Sequence, residues 1–294
     1  MQSYDPKDWS GLLFHVTRTD TARRLAPLLL IVMAYSALIC FLGLNVLHLD
    51  DQQWFRNASL VHGLVGFAMS LVLVFRTNTA YERWWEGRKL WGALVNNSRN
   101  LAIKLQALLP EDAAEDRAFF RVTIPAYAKV LRDHLASEST RFALDEMDHP
   151  ELRELDREKH TPNQVASLLH GRVIRLQREG VLTGEQMLFL NPELMSFTDI
   201  CGACERIKNT PIPHSYASFI KKFLALYTFS LPFGFVHSFH YFVVPVVAFV
   251  FYVLASLELT AEEIEDPFGN DPNDLPMDRM AGNIDRHVGE ILPP

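Results

Sequence analysis

Cys201-Gly-Ala-Cys204 places two thiols at the spacing of a redox dithiol or of half a metal site. No second C-x-x-C accompanies it, and the pair falls in a run of helical character without the strand a thioredoxin-type motif requires. With three cysteines in the chain, a disulfide framework is not indicated either. His62 is an ionisable group within an otherwise apolar run, which makes it a functional suspect by default. The competing reading places it near an outer membrane face, reaching for the interface or lining a wide vestibule. His237 and His240 read as interfacial. Trp84, Trp85 and Trp91 suggest a ligand box, although at helical spacing packing anchors are the better reading. The apolar runs carry only scattered histidines and no paired carboxylates, so a membrane-embedded enzyme is disfavoured.

The elements that carry these groups are apolar blocks separated by charged ones. The 294 residues are 49% hydrophobic with a formal net charge of −7, and the mean hydropathy of +0.03 would suit an ordinary globular protein. Locally the picture differs. Leu25 to Leu49 holds no Lys, Arg, Asp or Glu, and Ala58 to Phe75 is likewise uncharged. Phe223 to Leu257 is also uncharged but far longer than the ~20 residues one span needs, so it reads as a hairpin of two helices. Its turn is placed near His237-Ser-Phe-His240, with Pro232 and Gly234 kinking or ending the third helix. Four spans are therefore predicted. The first is too long, and too deep in the chain, for a cleaved signal peptide.

Basic residues flank these runs on one side: Arg18, Arg23 and Arg24, then Arg76, Arg83, Arg88 and Lys89, then Lys221 and Lys222. The positive-inside rule thus puts both termini and the central region in the cytoplasm. The predicted organisation is a cytoplasmic segment 1–24, spans one and two in 25–77, a cytoplasmic helical domain 78–218, spans three and four in 219–257, and an acidic tail 258–294. The net negative charge comes largely from that tail, and nothing in the balance favours nucleic acid.

The central region reads as helix throughout. One long amphipathic helix spans Asn78 to Leu109 and stops at Pro110; a second runs from near Asp112 to His134, kinked at Pro125. Ala136 to His160 is the loop-rich stretch. Thr161-Pro162 is read as an N-cap and first-turn proline opening a helix to about Arg178, Gly180 stops it, and another helix runs from Thr183 toward Lys208. No β-alternation and no internal repeat is present. In the second span Phe67, Leu71 and Phe75 fall at i, i+4, i+8 and share a face, while Gly63, Gly66 and Ser70 allow close helix approach. The bulky stripe either meets lipid or, if several copies ring an axis, forms an apolar neck that gates by dewetting. Because the span runs without a break into Arg76-Thr-Asn-Thr-Ala-Tyr-Glu-Arg-Trp-Trp-Glu-Gly-Arg-Lys89, a channel or transporter is favoured over an anchored enzyme.

Three segments resemble the bestrophin family in its bacterial form: Phe75 to Gly92 around the Arg-Trp-Trp triplet, Cys204 to Tyr216, and Asp266-Pro-Phe-Gly-Asn-Asp-Pro-Asn-Asp274. The resemblance covers nearly the whole chain. It implies an all-α homopentamer in the bacterial inner membrane, with one central pore for permeant inorganic ions, surrounded by lipid. It places the pore neck on Phe67, Leu71 and Phe75, where Leu71 departs mildly from the family's Ile or Phe. The cytoplasmic aperture falls on Glu185 by an ungapped count, which is the favoured placement; the alternatives are Met187 or Leu188 after a short slip, or Glu185 as a cap of the helix opening at Thr183. Arg76 would meet ions leaving the neck or phospholipid head groups. Animal relatives bind calcium through acids that match Asp266, Asp271 and Asp274, but Pro272 and Asn273 interrupt the run. The preferred reading there is a turn with solvated acids and no cofactor. Chloride and other anions are the family default, a sodium-type selectivity through a Glu185 ring is the runner-up, and a membrane-anchored scaffold is a third possibility.

Overall fold

An apolar run in lipid must satisfy its own amides, and a single segment can do so only as a helix. The computed structural model describes residues 21–46, 53–136, 155–156, 159–269 and 271–293, and among these there is no strand. Helix α1 (Thr21–Phe41) passes into a π-helical turn, Leu42–Val46. Helix α2 (Gln53–Leu108) runs unbroken from the second apolar block into the charged one and ends just before Pro110. Helices α3 (Ala114–Ala136), α4 (Thr161–Arg178) and α5 (Gly184–Asn209) follow. Helix α6 (His214–Phe239) and α7 (Val243–Glu265) are joined by a 3-10 turn, His240–Phe242, and α8 (Met277–Ile291) is the last element. The break between α6 and α7 sits where the sequence suggested, and His240 makes it with a positive φ of 50°.

Three helical stretches are long and apolar enough to cross a membrane: Thr21–Val46, Leu60–Leu108 and His214–Glu265, the last containing both α6 and α7. The described residues fall into two units. One comprises those up to Glu82 together with Ile212–Glu265; the other comprises Arg83–Pro211 and the residues from Asp266 on.

In the apolar unit α1, α6, α7 and the first part of α2 bury Val32, Cys40, Met69, Leu73, Ile220, Leu231 and Val247. Close approach rests on small residues. A Cβ on Gly66 would lie 2.5 Å from the Tyr227 hydroxyl, and one on Gly234 would lie 2.7 Å from the His62 ring.

In the polar unit Trp91, Leu94, Leu101 and Leu105 of α2 meet Phe119, Tyr127 and Leu131 of α3, with Leu169, Val173, Phe197 and Ile200 from α4 and α5. The stretch anticipated as an acidic tail behaves differently: α7 continues to Glu265, and α8 then packs on α3. Met277, Met280, Ala281, Ile284 and Val288 recur at helical period and are buried in this core. The acids of α8 occupy its other face, so net charge concealed an amphipathic helix. Thr161 is not the cap of α4. His160 is, its Nδ1 accepting from the Asn163 amide, while Pro162 keeps its first-turn place. Thr183 caps α5 in a reciprocal capping box with Gln186. Gly180 ends α4 at φ +79°. The loop-rich stretch expected over 136–160 lies mostly outside the described residues.

Candidate functional site

On α2, Met69, Leu73, Arg76 and Ala80 are enclosed at 0–1% exposure. Phe67, Leu71 and Phe75 each stand two positions from a member of that set. At 100° per residue this is a rotation of about 200°, which carries them to the opposite face. They are 71%, 48% and 58% exposed, and Leu60, Leu64 and Val74 are open too. Among the described residues, nothing within the apolar unit covers this bulky stripe. The opposite face carries the packing inside the subunit, and the stripe is left for lipid, water or another copy.

Arg76 does not stand on that stripe, which corrects both roles expected for it. Its side chain is 1% exposed, with Nη2 2.7 Å from Glu265 Oε2 and Nε 3.5 Å from Glu258 Oε2. Glu265 also accepts the Ile212 amide through Oε1 at 2.7 Å. Arg76 therefore ties α2 to α7 and, through Glu265, to Ile212 ahead of α6, and it is enclosed within the subunit. A buried guanidinium is held by paired carboxylates because an unpaired charge there is too costly.

His62 is packed between helices within the apolar unit. Its ring seats against Gly234 of α6, and Nε2 lies 3.1 Å from Ser230 Oγ. The arrangement is a packed, hydrogen-bonded histidine between two helices.

The three sequence blocks are joined within the polar unit. Arg83 donates to the carbonyls of Ile207 and Thr210 at 2.6 Å each, satisfying the carbonyl end of α5 with a cation. Phe268 and Pro267 press on Gly87, where a Cβ would sit 3.1–3.2 Å from them. Trp84 Nε1 donates to the Asn273 carbonyl at 3.0 Å, and Trp91 is fully buried. These two tryptophans are packing anchors, while Trp85 is exposed.

Glu185 is exposed in the first turn of α5. Backbone amide and Thr183 hydroxyl hydrogen bonds hold its carboxyl below the usual glutamate range. Leu188, one turn on, is 69% exposed, whereas Met187 packs against the core.

The acidic motif is only partly solvated. Asp266 and Asp271 are exposed, but Asp274 is 3% exposed, which corrects the reading of three solvated acids. Its Oδ2 accepts the Asp271 amide at 2.5 Å, and Oδ1 has no hydrogen bond. Burial pushes this carboxyl up to about 7, with the amide opposing and the Asp271 and Asp266 charges adding to the rise. Asp274 and Asp266 both crowd Gly269, where a Cβ would lie 2.8 Å from the first and 3.8 Å from the second.

Cys201 and Cys204 are buried in the helical core, and burial pushes Cys201 up to about 12 and Cys204 up as well. Thiols so enclosed are inert near neutrality. Sequence reasoning missed a different cluster in the same unit. His134, His160 and Glu205 bring one ligand atom each to within 4.8 Å of one another, the one such group among the described residues. His134 and His160 stand 71 and 45 positions from Glu205, so no local spacing could have revealed it.

Comparison with known proteins follows the same lines. The family model for bacterial/fungal bestrophin proteins matches residues 2–290. A voltage-dependent anion channel-forming protein of Nostoc is 36% identical over 227 residues, 76% of this chain and 74% of that protein. A protein of Synechocystis with the same description is 30% identical over 302 aligned residues, 99% of this chain and 95% of its own length. The crystal structure of a bacterial bestrophin homologue from Klebsiella pneumoniae is 26% identical and superposes with a TM-score of 0.81 over 90% of this chain and 97% of that one.

Proposed function

The chain belongs to the bacterial/fungal bestrophin family, and on that premise we propose that it forms a homopentameric membrane channel passing small monovalent ions, anions foremost. The observation that carries the reading is the uncovered stripe of Phe67, Leu71 and Phe75, turned away from the subunit's own core inside a segment long enough to span a bilayer. Five copies of α2 around one axis would close these side chains into an apolar neck. Water leaves such a constriction readily, and an ion must shed hydration to pass. The neck sets a size and dehydration barrier without choosing a sign. Relatives described as anion channel-forming proteins support anion passage.

Four crossings by α1, the first part of α2, α6 and α7, with both termini on the cytoplasmic side of the inner membrane, agree with the basic flanks. A second reading rests on Glu185. Its carboxyl is exposed and readily ionised, and five copies of it brought together at a cytoplasmic aperture would form an acidic ring that favours sodium-like cations. Conduction in either form needs no cofactor. Calcium at Asp266, Asp271 and Asp274 is the subordinate proposal, tested through Asp274 below.

Purified protein in detergent should have the mass of a pentamer by light scattering. In planar bilayers under a potassium chloride gradient, its reversal potential should move toward the chloride equilibrium potential. A monomer without ion flux would overturn the proposal, and a reversal toward the cation potential would select the Glu185 reading.

A further inference from the structure

The cluster of His134, His160 and Glu205 belongs to the polar unit, whereas the stripe on α2 belongs to the apolar one, and the cluster plays no part in conduction as proposed above. His134 sits in the last turn of α3, His160 caps α4, and Glu205 lies near the end of α5. Both imidazoles point Nε2 at the same carboxylate oxygen, Oε1, at 2.6 Å each. The ring centroids are 4.6 Å apart, with the planes tilted by 55°. All three side chains are part-buried, so water reaches them but does not surround them.

From this convergence we propose that His134, His160 and Glu205 form a site for a divalent transition-metal ion of the zinc class. Two neutral imidazoles and one carboxylate suit zinc, with cobalt as a spectroscopic substitute. Calcium and magnesium ask for six or more oxygens, or for a shell of water, and find one carboxylate here. Three ligands leave a fourth position for water, which the part-buried setting supplies. The two nitrogens need to withdraw only slightly from Oε1, because ligands around a tetrahedral zinc sit about 3.3 Å from one another.

The ion would join three helices through side chains from each. It would hold the end of α5 whose opposite end carries Glu185. Two features weaken the site relative to a fully prepared one. His160 Nδ1 already accepts the Asn163 amide, so its ring proton sits on Nε2; taking a metal there moves the proton to Nδ1 and releases that amide. The buried Nδ1 of His134 has no hydrogen-bond partner to orient the ring. Metal-bound histidines usually have one, and its loss weakens binding by about 10–100-fold.

The test uses full-length protein, stripped of metal by chelator and kept in detergent. Zinc is titrated against a chromophoric chelator, and cobalt is followed by its visible d–d absorption. One zinc per chain is expected, with calcium or magnesium in large excess failing to displace it. Glu205→Gln and His134→Gln should each weaken binding at least tenfold, while Cys204→Ser leaves it unchanged. Retained size-exclusion profiles confirm folding of the variants. X-ray absorption of zinc-loaded wild-type protein gives a readout that no variant's folding can confuse: nitrogen and oxygen near 2.0–2.1 Å with no sulfur. Absence of stoichiometric zinc, sulfur in the first coordination sphere, or unchanged affinity in both folded variants would each overturn the proposal.

Discussion

Arg76→Gln separates a residue that holds helices together from one that meets ions. The guanidinium is 1% exposed and lies 2.7 Å from Glu265 and 3.5 Å from Glu258. Removing one partner of a buried ion pair costs about 3–5 kcal/mol, because the survivor remains as an uncompensated charge. Here the losses differ between the two survivors. Glu265 keeps the Ile212 amide as a donor, whereas neither oxygen of Glu258 has a hydrogen bond. The retained donor, and the freedom of Glu258 to take up a proton, bring the figure to the lower end, about 3 kcal/mol. At roughly 2–4 °C per kcal/mol for a large domain, the melting temperature should fall by about 10 °C. Size-exclusion of detergent-solubilised protein after a heating series reads this shift. Adding Glu258→Gln to the same chain should restore part of the loss, since the pair is coupled. Reversal potentials of the surviving channel should not move. An unchanged melting temperature together with a shifted reversal potential would refute the enclosure of Arg76 and return it to the ion path.

Three other outcomes are expected. Phe67→Ala and Phe75→Ala should raise single-channel conductance while leaving folding nearly intact, because both rings are open in the subunit; unchanged conductance in both would remove the stripe from the pore. Glu185→Gln should shift the reversal potential toward the anion side, and acid should mimic it. Since the carboxyl is held below the ordinary glutamate range, its charge is present at neutral pH and disappears only once pH falls through that lowered value. A reversal potential insensitive to both changes would exclude Glu185 from selectivity. Asp274 behaves in the opposite sense. Its carboxyl is pushed up to about 7, so the folded state binds a proton that the unfolded chain releases near 3.8, and stability declines as pH rises between those values. Asp274→Asn should therefore raise the melting temperature at pH 8 and do little at pH 4. Calcium that stabilised wild-type protein at pH 8 but not the variant would support the calcium reading; no effect on either would dismiss it.

Much of this protein was legible along one dimension. A charge-free run either matches the hydrocarbon thickness or it does not, and that needs no knowledge of neighbours. The long α2, the break near His240, the cap at Thr183 and the stop at Gly180 are likewise local matters of period, proline, glycine and capping oxygen. The spacing of Phe67, Leu71 and Phe75 put them on one face, and the family blocks announced the relationship.

Enclosure was the part that no local pattern contained. Arg76 reads as an interfacial cation until α7 brings Glu258 and Glu265 against it. Asp274 reads as a solvated turn acid until the turn folds it inward, and His62 as an isolated ionisable group until Gly234 makes room for its ring. Helix α8 had the right period in plain view, but its acids dominated the reading. The meeting of His134, His160 and Glu205 depends on three helix ends arriving at one place. Charge and burial are properties of a residue's surroundings, and those surroundings come from distant parts of the chain. Period and length belong to the segment itself, so they survive translation from sequence to structure unchanged.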